Sequence, residues 1–147
     1  MTDFILGMNT CFAVKRWPEA DEWTRIVAEE FGLKTVQFSF DLMDPRAGSG
    51  VVASYIDHTR IACSRVGITI HSTFTGFLPF MQNLLLHPEP AFRDDAKAWF
   101  KAAIEVTARM KVPVFGGYFG ALSMNDIGND ARRQERMEHV DVARRAV

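Results

Sequence analysis

The sequence predicts an α/β fold made of four successive strand–helix units, and three observations predict it. Apolar residues switch several times between a period of two and a period of about 3.6. The segments between these stretches are short and carry the glycines and prolines that make turns. The order is strand then helix throughout, which calls for a parallel sheet with right-handed helical connections packed outside it.

Residues 4–9 (FILGMN) are a short apolar run that reads as a buried first strand. Pro18 and the acidic residues after it open a helix with Trp23, Ile26, Val27 and Phe31 on one stripe, and Gly32 stops it. Residues 35–40 (TVQFSF) alternate strictly, with Val36, Phe38 and Phe40 on one side and Gln37 and Ser39 on the other. The turn 44–50 (DPRAGSG) leads to a second helix striped by Val52, Tyr55, Ile56, Thr59, Cys63 and Val66. Residues 67–72 (GITIHS) are the third strand. A longer loop with Pro79, Pro88 and Pro90 then precedes a helix striped by Ala96, Trp99, Phe100, Ala103, Thr107 and Met110. Residues 112–117 (VPVFGG) are the fourth strand, and the glycine-rich loop 116–130 leads into a last helix carrying Met137, Val140 and Ala143. The run 131–136 (ARRQER) reads as a solvated helix face. No Gly, Asn or Pro closes that helix before Val147, so a longer product is expected.

At 147 residues, 48% hydrophobic and 24% charged, the chain is one globular domain. A net charge of −1 offers no electrostatic footprint for nucleic acid or an anionic membrane, and points to a small neutral or singly anionic partner. The N-terminus lacks the basic and apolar regions of a signal peptide. No run approaches the ~20 apolar residues of a membrane span. Cys11 and Cys63 form neither a disulfide framework nor a zinc motif, and a cytoplasmic location is inferred.

In a closed (β/α)8 barrel, alternate strand residues point inward and active sites gather at the C-terminal strand ends. The apolar set of the second strand then meets the helices. Ile68 and Ile70 do the same on the third, which turns Thr69 and His71 inward. His71 is expected near the mouth, with Asn9 and the loop after Gly117 lining one pocket with it. Each has a plainer reading. A strand-end histidine can be a satisfied structural residue, and Asn9 can close an Asx turn. Thr73 and its neighbours can be loop residues, and Gly117 can mark a tight turn. There is no Ser-His-Asp order, no H-E-x-x-H, no C-x-x-C and no phosphate-binding loop.

Three stretches resemble a known family. These are residues 4–27 (FILGMNTCFAVKRWPEADEWTRIV), IHSTFTG followed by NLLLHPEPAFRDDAKAWFKAAIEVTARM, and GGYFGALSMND. The chain resembles the N-terminal half of the sugar phosphate isomerase/epimerase family, xylose isomerase-like TIM barrels whose superfamily includes the AP endonucleases. HSTFTG, NLLLHP and GGYFGALS bring it nearest to the erythritol-pathway tetrulose-phosphate epimerases. The resemblance covers all of residues 1–147 but only half of a barrel of ~250 residues.

That resemblance implies a metal-dependent isomerase or epimerase of a small ketose or sugar phosphate. A divalent metal (Mn, Mg, Co or Zn) polarises the carbonyl while a carboxylate moves the adjacent proton through an enediolate. The metal ligands, two Glu, an Asp and a His, are expected on later strands beyond Val147, so the catalytic carboxylates and metal ligands have no assignment here. Asn9, His71, Thr73, Gly117 and Tyr118 are the expected substrate-binding residues. His71 matches a histidine that ligates metal in the endonuclease branch. That branch carries a further histidine after the fourth strand, where this chain has Phe115, Gly116, Gly117 and Tyr118. An endonuclease-type hydrolase is the weaker alternative. A non-catalytic half barrel that binds a small polyol, or associates with itself as a homo-oligomer, is the other.

Overall fold

A computed structural model describes residues 4–145. Strands β1 (Met8–Asn9), β2 (Thr35–Ser39), β3 (Thr69–Phe74) and β4 (Phe115–Gly116) form one parallel sheet in the order β1-β2-β3-β4. Consecutive parallel neighbours joined by right-handed crossovers place every helix on the same face. That is the winding of a barrel wall rather than of a sheet covered on both sides.

Two strands are shorter than the apolar runs that predict them. Residues 4–9 pair only through Met8 and Asn9, and Phe4, Ile5 and Leu6 lie exposed. In the run 112–117 only Phe115 and Gly116 join the sheet. Both strands stand at an edge and have a neighbour on one side only, so the ladder there is half made. β3 runs two residues past its expected end, because Thr73 and Phe74 pair with Phe115 and Gly116 of β4.

The first helix starts as α1 (Ala20–Arg25) and widens into a π turn over Ile26–Glu30, with Phe31 N–H donating to Ile26 C=O at 3.2 Å. Trp23, Ile26 and Val27 are buried as the stripe demands, but Phe31 is more than half exposed. A π turn holds more residues than an α turn and shifts the phase of whatever follows. α2 (Ser49–Val66) buries Val52, Ile56, Thr59 and Cys63 and closes on Gly67 at φ 69°. Ile68 N–H then donates to Cys63 C=O at 2.9 Å. The proline-containing loop folds into the single turn α3 (Leu78–Met81) and a 3-10 turn over Leu84–Leu86. α4 (Pro90–Arg109) buries Ala96, Trp99, Phe100, Ala103, Val106 and Thr107.

The last helix is two pieces, α5 (Met124–Ile127) and α6 (Asp130–Arg145). Val140 and Ala143 are buried, but Met137 is exposed. The expected solvated run 131–136 is not wholly solvated. Arg136 is buried and faces Asp126 of α5, Nε to Oδ2 at 3.5 Å, so this pair docks α5 on α6.

Between sheet and helices lie two clusters. One gathers Phe38, Phe40, Val52, Trp99 and Phe100, the other Trp23, Val27, Val36 and Cys63. Aromatic edges meet faces in the first: Phe38 and Phe40 at 5.7 Å, Phe40 and Trp99 at 5.9 Å. Burial of each large side chain contributes roughly 1.5–3 kcal/mol before conformational entropy is counted. Among the described residues, no helix is long and apolar enough to cross a membrane.

Candidate functional site

The face of the sheet away from the helices carries polar side chains linked in a row. Asn9 ends β1, and its Oδ1 accepts the Cys11 N–H at 2.8 Å, capping the turn Thr10–Ala13. Its Nδ2 donates to Gln37 Oε1 at 2.8 Å, and Gln37 Nε2 donates to Ser72 Oγ at 3.2 Å. Three adjacent strands are thus tied by side chains as well as by their ladders. Asn9 has a second amide hydrogen, and the Ser72 hydroxyl has its own proton. The row therefore keeps donors for a ligand.

A bulge puts Ser72 in that row. Val36 pairs with Ile70, and the next residue, Gln37, pairs with Ser72, so His71 is the extra residue of β3. Its ring is exposed on the same side as Gln37. Asn9, Gln37, Thr69, His71 and Ser72 line an open groove of about 770 Å³ that runs down to Gly7. Gly7 lies against β2 so closely that a Cβ there would come within 2.9 Å of the Thr35 carbonyl oxygen. A larger depression, about 830 Å³, meets the groove at Thr69 and opens at the strand starts among Arg60, Arg65, Lys111 and Val112. That is the strand-start end, which serves stability rather than chemistry in barrels.

The expected site residues separate into three groups. Asn9 and His71 share the groove, although His71 sits inside β3 rather than at its end. Thr73 belongs to the other face: it is fully buried, and its Oγ1 meets Thr107 Oγ1 of α4 at 2.7 Å. This is a correction to its expected place in the pocket, and its cause is the bulge, which moves every later residue of β3 to the opposite side. Gly117 and Tyr118 are likewise not in the groove. Gly117 at φ 141° passes against Thr75, whose Oγ1 accepts the Tyr118 N–H at 3.1 Å. The Tyr118 ring packs edge-on to Phe74 at 5.7 Å and against Phe80 at 5.6 Å. The expected single pocket joining Asn9, His71 and the loop after Gly117 is therefore two places, a polar groove and an aromatic rim. Gln37 and Ser72 are the residues missed as site members. Strict alternation already turned Gln37 inward, whereas nothing in the sequence marks the bulge that brings in Ser72.

A second junction closes the top of β2. Ser39 Oγ donates to Asp41 Oδ2 at 2.7 Å, and Asp41 Oδ1 accepts the Phe77 N–H at 2.9 Å. Gly76 crosses directly over this carboxylate at φ 83°. The loop after β3 is thus held down by the strand beside it. The neighbouring Cys11 thiol is pushed up from its ordinary range by burial, then by the Asp41 charge.

The residues present do not fit a divalent metal. Among the described residues no three His, Cys, Asp or Glu side chains stand close enough to hold one. His71 is joined in the groove by amides and hydroxyls, which bind carbohydrate better than they bind a transition metal.

No protein-family profile matches the chain. A Rhodospirillum rubrum protein, provisionally named a xylose isomerase, superposes with a TM-score of 0.87 at 35% identity, covering 96% of this chain and 48% of its own. The fold is half of a xylose isomerase-like TIM barrel. The Clostridium cellulolyticum D-psicose 3-epimerase, solved with D-tagatose, shares that fold at a TM-score of 0.62 and 19% identity, with 94% of this half barrel and 48% of the enzyme covered. In sequence, the half barrel is 25% identical over 131 residues to the D-erythrulose 1-phosphate 3-epimerase of Brucella abortus, covering 88% of the chain and 42% of the relative. It therefore spans a little under half the length of each of these proteins.

Proposed function

We propose that this chain forms the sugar-facing half of an isomerase or epimerase acting on a small ketose or ketose phosphate through an enediolate. A tetrulose phosphate such as erythrulose 1-phosphate is the first substrate to try, given the Brucella relative. The observation that supports this reading is the row Asn9–Gln37–Ser72 beside His71, on the face that becomes the interior of a barrel.

A ketose presents alternating hydroxyl donors and acceptors. Asn9 and Ser72 offer hydrogens to its oxygens, and Gln37 fixes both groups so that little side-chain freedom is lost on binding. The His71 imidazole donates at one nitrogen and accepts at the other, and so fits between neighbouring hydroxyls. None of the groove side chains is a carboxylate, so the proton next to the carbonyl is assigned to no residue of this chain. The divalent metal expected from the resemblance has no ligand cluster among the described residues.

The test is an NMR titration of the chain with erythrulose. Shifts should concentrate on Asn9, Gln37, His71 and Ser72, and His71→Ala should remove them without lowering the unfolding temperature. Uniform or absent shifts at millimolar sugar defeat the proposal. The chain alone is expected to turn over no ketose; metal-dependent epimerisation by residues 1–147 would overturn the assignment of this half to binding.

A further inference from the structure

Above the row Asn9–Gln37–Ser72 the sheet carries a second set of polar links, and these converge on one carboxylate. Asp41 stands just past the end of β2. Its Oδ2 accepts the Ser39 hydroxyl at 2.7 Å and its Oδ1 accepts the Phe77 N–H at 2.9 Å. Ser39 is fully buried, and its own N–H donates to Thr10 Oγ1 at 2.8 Å. Thr10, also fully buried, opens the turn Thr10–Ala13 that the Asn9 side chain caps. The Asp41 charge reaches the Cys11 thiol in the same turn. One carboxylate thus braces the turn after β1 on one side and the loop after β3 on the other.

The loop is shaped to meet it. Gly76 is buried at φ 83°, and a Cβ there would stand 2.6 Å from Asp41 Oδ1, so a residue without a side chain lets the loop come down on the carboxylate. One residue earlier, Thr75 N–H donates to Gly116 C=O at 3.0 Å and Thr75 Oγ1 accepts the Tyr118 N–H at 3.1 Å. The loop is therefore fixed at successive points, by β4 and its loop at Thr75 and by Asp41 at Phe77. Hydrogen bonds to an ionised acceptor are about twice as strong as neutral ones. Both oxygens of Asp41 are engaged by donors of this chain, which suits the group to holding geometry.

We infer that Asp41 is a positioning residue for the groove: it sets Asn9 through Ser39 and Thr10, and it holds the loop after β3 through Phe77. Asp41 is not one of the side chains lining the groove, so it acts through its partners. That the groove receives a sugar rests on the function proposed above; the placing of Asn9 and of the loop does not.

Amide hydrogen exchange and NMR on the chain test it. Asp41→Ala should speed exchange of the Phe77 N–H at least about tenfold and shift the Asn9 side-chain amide signals, while the amides of α2 and α4 keep their protection within about twofold. Asp41→Asn keeps an acceptor for Phe77 and a partner for the Ser39 hydroxyl, so both signals should return to near their native values. Gly76→Ala, which lifts the loop off the carboxylate, should free the Phe77 N–H as Asp41→Ala does. Erythrulose should bind Asp41→Ala at least about threefold more weakly than the native chain, and Asp41→Asn within about twofold of it. Unchanged Phe77 exchange with unchanged Asn9 signals in Asp41→Ala overturns the inference, whether or not sugar binds. So does an equal loss of protection at Phe77 and throughout α2 and α4, which is general destabilisation. Asp41→Asn as damaging as Asp41→Ala, or equal erythrulose binding by Asp41→Ala and a native chain that binds it, also overturns it. A native chain whose groove signals ignore erythrulose defeats the sugar reading instead, and the sugar-free signals of Phe77 and Asn9 then decide the role of Asp41.

Discussion

On its helix side the sheet buries Val36 and Phe38 completely, against Trp23, Tyr55 and the aromatics around Trp99. On its other side the same strands present Asn9, Gln37 and Ser72 in a hydrogen-bonded row, beside a groove of about 770 Å³. One face is a finished core in which side chains fill the space. The other holds its shape through polar bonds between side chains and leaves the space open. The difference teaches where stability and recognition reside: changes on the helix side should unfold the chain, and changes on the groove side should alter what it binds.

The largest contrast is expected at Phe38. Phe38→Ala should cost about 3–5 kcal/mol in urea unfolding, because the cavity lies among side chains held from several directions. Alkaline pH attacks the same face. Burial pushes the Cys63 thiol from its ordinary 9.0 to about 12, and the Tyr55 hydroxyl from 10.0 to about 12. Both pKa values are raised on folding, so their contribution is intact below pH 9 and is lost as pH rises toward 12, when only the unfolded chain ionises readily. Unfolding midpoints measured across that window should fall steadily; a flat profile would show that these groups are not buried as described.

Smaller effects separate neighbours on β3. Gly117→Ala should cost about 1–3 kcal/mol, through strain at φ 141° and collision with Thr75, and should loosen the aromatic rim in hydrogen exchange. Thr73→Val removes a buried hydroxyl bonded to Thr107 and should cost about 1–2 kcal/mol without affecting erythrulose binding. Ser72→Ala, one residue away, should change stability by less than about 0.5 kcal/mol and weaken sugar binding. Equal behaviour of these two variants would mean that the two faces are not distinct.

Much of this was legible in the sequence. The strict alternation of residues 35–40 assigned both faces of β2, and the stripes of α2 and α4 named most of the core. The shift of period from two to about 3.6 gave the order of elements. What stayed hidden was local departure from those periods. A π turn exposes Phe31, and nothing in residues 26–30 announces it. The buried Arg136 was hidden in a charged run, because its partner Asp126 lies on a separate short helix. At the site, the inward turn of Gln37 and His71 followed from alternation, but the place of Thr73 did not, since one unpaired residue reverses the parity behind it. Gly117 and Tyr118 were placed by contacts with Thr75 and Phe74 across the sheet, which sequence spacing does not encode.

The supernumerary position in β3 separates two jobs that a regular strand would bind together. Register is carried by Ile70 and Ser72, which engage the neighbouring strand, while the imidazole between them takes no part in that pairing. A substitution at His71 therefore changes the wall of the groove without disturbing the alignment of the strands, and the scaffold stays as it is.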